Sequence, residues 1–149
     1  LILNGKILMH CNRSVETLRS FQAAIRINPK RSEGLTYAGA VLMTFRAYER
    51  SEKLLKFALS LEPNNLLTYL RIVDVNLRRG QLNDAKALTR HIVTSATVND
   101  IAASLKELSK EPFYKGIESE ILTEVIVAEL KNHIPDASSR FLQHSNNLN

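Results

Sequence analysis

Glycine and proline are scarce in this chain, five and four in 149 residues; tryptophan is absent and Cys11 is the only cysteine. Each shortage excludes something. Few breakers mean few marked turns, which favours long helices over a strand-rich fold. One cysteine cannot form an internal disulfide, which fits a reducing compartment. Aromatics at 6% leave few platforms on which nucleobases stack. No apolar run reaches the roughly 18 residues of a membrane-spanning helix, and no signal-peptide pattern opens the chain. A glycine-rich phosphate loop is missing. His10, His91, His133 and His144 have no companions at metal-ligand spacing, so neither a metal nor any other cofactor is expected. Cys11 beside His10 lacks the facing geometry of a nucleophile and its base, because sequence neighbours diverge on a helix.

What remains is rich in Leu, Ala, Lys, Arg and Glu, all good helix formers. The net charge of +5 is unevenly spread: residues 1–96 carry +8 and residues 97–149 carry −3. A basic first part and a mildly acidic second part suggest different surface roles or mutual attraction. The chain starts at Leu1 within a helical pattern, which reads as a fragment of a longer protein.

Two stretches, TLRSFQAAIRINPKR and SEKLLKFALSLEPNN, carry one apolar pattern and the same proline thirty-four residues apart. At that offset Gly5 maps to Gly39, Leu8 to Leu42, Phe21 to Leu55, Ala24 to Ala58 and Pro29 to Pro63. A fixed period in this range marks a solenoid of stacked units. Apolar steps of three and four then divide the middle unit into helices at 32–45 and about 48–61, the second stopped by Pro63.

The residues Leu35, Ala38, Gly39, Leu42, Ser51, Leu55 and Pro63 fall at the signature spacings of the tetratricopeptide repeat, as do Leu1, Gly5, Leu8, Phe21 and Pro29. A third unit departs from the pattern, with Val73 at the glycine position, but RRGQLNDAKAL resembles the family's inter-helix turn, with Gly80 at the turn. The chain thus resembles that family over residues 1 to about 96. The resemblance implies an all-α fold: a right-handed superhelical array of antiparallel helix pairs, a solenoid. Three units are expected at about 1–31, 32–65 and 66–96. Residues 97–149 do not repeat; helices at about 97–110, 116–134 and 136–144 read as a C-terminal cap with a frayed tail.

The resemblance also implies function. The first helices of such units line a concave groove, which places Lys6, Met9, Met43, Leu67, Leu70, Arg71, Asp74, Leu77 and Arg78 on the inner wall. Their apolar members form a strip suited to an amphipathic helix or extended segment of a partner protein. The competing reading is that some are core, or that the chain's own helix 116–134 fills the groove. The family's clamp for a C-terminal carboxylate is not matched, since only Arg71 has the required type. The expectation is a non-enzymatic protein-interaction scaffold, cytoplasmic, without a membrane span. Rivals are a C-terminal appendage of a larger enzyme, a homodimer built on the third unit or the cap, and weak nucleic-acid or acidic-surface binding by the basic repeats.

Overall fold

The computed structural model describes residues 1–114, 117–134 and 142–143. Within them the chain is helical, with no strand: α1 (Ile2–His10), α2 (Ser14–Ile27), α3 (Ser32–Thr44), α4 (Tyr48–Leu61), α5 (Leu66–Arg78), α6 (Leu82–Ser95), α7 (Val98–Ser109) and α8 (Ile117–His133). A 3-10 turn at Pro112–Tyr114 joins the last two. Pro135, Asp136 and most of the expected helix at 136–144 lie outside the described residues. No described helix is long and apolar enough to cross a membrane.

Local chemistry sets the helix ends. Asn28 and Glu62 precede prolines and leave the helical region, as the crowding of proline Cδ requires. Asn65 caps α5 by accepting from the Thr68 amide at 3.2 Å, and Thr97 caps α7 by accepting from the Asp100 amide at 3.1 Å. The turns within pairs share one backbone form. Asn12, Arg46 and Gly80, at thirty-four-residue intervals, have φ of 58°, 56° and 73°. Beside each, an amide reaches back to close the preceding helix: Arg13 to Leu8, Ala47 to Leu42 and Gln81 to Asn76.

Packing follows the same period. Each first helix lies against its own second helix, and α2 and α4 lie against the first helix of the next pair. Small residues permit the approach. A Cβ on Gly5 would sit 2.7 Å from the Phe21 ring, and one on Gly39 would sit 2.8 Å from Leu55 Cγ. At Gly39 the approach lets Ser51 Oγ donate to the Gly39 carbonyl at 2.6 Å. In the third pair Val73 takes the glycine position, α5 and α6 pack less closely than α3 and α4, and Thr89 bonds within its own helix to Ala85.

The C-terminal part breaks the pattern. It is α8, not α7, that packs along α6, burying Leu122, Ile126 and Leu130. Helix α7 instead lies on α5, with Ile101 and Leu108 buried in the main core beside Leu70, Val75 and Ile92. The Pro112–Tyr114 turn touches α3, α7 and α8. The alternative read from sequence was that helix 116–134 fills the groove; α8 lies along α6 and touches α5, while α7 lies on α5 and the Pro112–Tyr114 turn reaches α3.

Candidate functional site

That placement decides which first-helix positions remain open. Met9, Met43 and Leu70 do not form an open apolar strip: they are 3%, 2% and 0% exposed. Met43 and Leu70 belong to the core cluster that also holds Ile101 and Tyr114. Arg71 and Asp74 are buried as well, at 1% and 3%. Lys6, Leu67, Leu77 and Arg78 keep partial exposure. Leu70, on α5, loses water contact where α7 packs over that helix, whereas Met9 on α1 and Met43 on α3 are buried although α7 lies on α5 and α6; each buried side chain of that size contributes about 1.5–3 kcal/mol.

A charged latch fixes the covering segment. Arg71 grips Glu111 with both guanidinium arms, one at 2.8 Å. Its Cζ lies 5.5 Å from the Tyr37 ring centroid and 5.7 Å from that of Tyr114, within cation–π range. Burial alone works against the Arg71 charge, but Glu111 and Tyr114 beside it hold the guanidinium protonated above its ordinary range. Burial pushes the Tyr114 phenol up, so it stays neutral. Arg78 pairs along its helix with Asp74 at 2.9 Å. Glu111 and Tyr114 were not legible as site residues, because their partner is forty residues away and no periodic pattern links them.

The inner face stays open toward the start of the array. One cleft of about 480 Å³ is lined by Ile2, Lys6, Ile27, Arg31 and Glu33, among others. A second of about 330 Å³ is lined by Glu33, Thr36, Tyr37, Asn65, Leu67 and Arg71, among others. Sharing Glu33 as a wall, the two adjoin as a stepped channel across the early turns of α1, α3 and α5, with the Lys6–Glu33 ion pair between its halves. Leu1, Leu3 and Ile27 are exposed at its outer end. Charge is balanced in the middle: Glu33 accepts from Lys6 at 2.7 Å and from Arg31 at 2.9 Å. The hydrogen bond from Lys6 holds the Glu33 carboxyl below its ordinary value, and the same bond raises the Lys6 amine. Tyr37 stacks on buried Phe21 at 5.3 Å, with Lys6 Nζ 4.8 Å from its ring centroid. Such a channel offers an aromatic edge, apolar walls and paired charges that can exchange partners. Among the described residues no group of three or more His, Cys, Asp or Glu is placed to hold a metal ion.

Neither a protein-family model nor a curated protein sequence matches the chain. Among solved structures, one described as "MamA RS-1 ArsTM double mutant" aligns with 99% of this chain and 92% of that one, with a TM-score of 0.62 and 17% sequence identity. A likeness at that identity speaks to the fold, and the fold is an all-helical, tetratricopeptide-like repeat array.

Proposed function

We propose that the chain is a protein-interaction module that receives an extended segment or one helical face of a partner protein in the open channel across α1, α3 and α5, and that it performs no catalysis. The observation that carries this reading is the adjacency of the two clefts. Two clefts share Glu33 and together place Ile2, Lys6, Tyr37 and Leu67 along one path. Apolar contact with Ile2, Ile27 and Leu67 would supply affinity. Lys6 and Glu33, each about a third exposed, would trade their mutual bond for partner charges and set orientation. Of the residues expected from sequence, Lys6 and Leu67 keep a direct role in this reading, and Arg71 supports Tyr37 from beneath. Met9, Met43 and Leu70 act only through the core.

The test is selection of random displayed peptides on the whole chain, followed by affinity measurement against a folded Tyr37→Ala, Leu67→Glu variant. The reading expects selected peptides to lose at least about tenfold in affinity, in keeping with the weight that aromatic anchors carry. Peptides that bind the folded variant as tightly as the parent would contradict it.

A further inference from the structure

We propose that the opposite, outer face carries a second docking site: the trough between α2 and α4, shaped for an acidic amphipathic helix of a partner protein. Two adjoining clefts of about 430 and 330 Å³ share Leu18, Gln22, Leu42 and Arg50 and so make one trough. Its apolar lining includes Leu18, Ile25, Leu42 and Leu54, with Phe45 and Val15 about half exposed at one end. Around it stand Arg19, Arg26, Arg50 and Lys53, all exposed. No carboxylate lines the trough, and none of these four cations makes a close ion pair among the described residues, although Arg19 is near enough to Glu16 to draw on its charge.

The repeat supplies an internal control. Thirty-four residues on, Leu18 corresponds to Glu52, Phe45 to Arg79 and Arg50 to Asp84. At that next position along the array Glu52 bonds Arg79 and also pairs with Lys56 at 2.6 Å. One slot of the fold is therefore neutralised from within, while its predecessor keeps an apolar floor and an excess of positive charge. Backbone geometry does not demand the difference, because both slots are built from equivalent helices.

Chemistry selects the occupant. Arg26, Arg50 and Lys53, without carboxylate partners, call for carboxylates, and the recessed apolar floor calls for a ridge of Leu-type side chains between them. A bilayer would need apolar groups that protrude, whereas Leu18, Ile25 and Leu54 are partly buried between the cations. Single-stranded nucleic acid would need stacking platforms, and Phe45 is the one aromatic lining the trough.

The experiment is fluorescence anisotropy with a labelled, designed Leu/Glu amphipathic helical peptide. The same peptide with Lys for Glu, vesicles of mixed phosphatidylcholine and phosphatidylserine, and poly(U) serve as the other probes. The proposal expects binding of the acidic peptide, no binding of its lysine form, and affinity that falls with salt. Arg50→Glu, Lys53→Glu should weaken it at least about tenfold with an unchanged circular dichroism spectrum. Leu67→Glu, on the inner face, should leave it unaltered, which separates this site from the channel. The proposal is overturned if the acidic peptide does not bind, or binds the charge-reversed variant equally. It is also overturned if vesicles or poly(U) bind more tightly through the same two residues. Self-association in light scattering that the charge reversal abolishes would likewise replace the partner with a second copy.

Discussion

Arg71 shows how one side chain changes role with its surroundings. On sequence it is a cation on a groove-lining helix. In the fold its side chain is 2% exposed and committed to Glu111. Removing one member of such a pair strands a buried charge, which costs about 3–5 kcal/mol, whereas replacing both with apolar residues is often neutral. Glu111→Ala should therefore lower stability by about that amount in urea unfolding. Arg71→Met, Glu111→Leu should recover most of it, and a double variant as unstable as the single one would show that packing, not charge, holds the segment. Glu33 makes a milder prediction. Its folded pKa lies below the ordinary 4.5, chiefly through the hydrogen bond from Lys6. Its contribution is present in full above that ordinary value and is lost as pH falls through the folded value. Exposure limits it to a few tenths of a kcal/mol. Glu33→Gln should lower stability by a few tenths of a kcal/mol at neutral pH and flatten the acid limb, so that the two stability–pH profiles converge below the folded value. Residue roles were the least legible part of the sequence. Lys6 was read as a polar inner-face position and keeps partial exposure beside a cleft, whereas Met9, Met43 and Leu70 were read as groove-lining and are buried. Leu70→Glu would consequently disrupt the core rather than report on binding.

At the scale of the element the repeat was largely legible. Gly5, Gly39, Phe21, Leu55 and the two prolines mark where helices cross and stop, and the helices begin and end within a residue or two of the apolar pattern. Gly39→Ala should destabilise by about 1–3 kcal/mol, since its Cβ would press on Leu55, itself fully buried. The left-handed turn at Arg46 has no such signature, because the sequence places glycine only at the equivalent Gly80. Arg46→Gly should stabilise by about 0.5–1 kcal/mol by relieving a strained φ, and Gly80→Ala should cost about as much. Thermal unfolding of the two variants measures both. Val73 marks where the third pair departs from the glycine pattern, and α5 and α6 pack less closely there than α3 and α4. The exchange of α7 and α8 was not readable, since both helices are amphipathic and periodicity does not say which neighbour an apolar face will meet.

For the whole molecule, the array closes part of its own inner face and leaves part open. Residues 98–114 fold back over α5, and Arg71 with Tyr37 and Tyr114 ties them there. In the proposed reading a partner meets the channel at the start of the array, with the cap still seated. The most direct measurement is hydrogen–deuterium exchange of the chain with and without a selected channel-binding peptide. The account predicts new protection in residues 1–6, 31–37 and 62–68, with exchange in 98–114 unchanged. Faster exchange in 98–114 with protection spreading along α5 would contradict it, because the partner would then be displacing α7 from the groove.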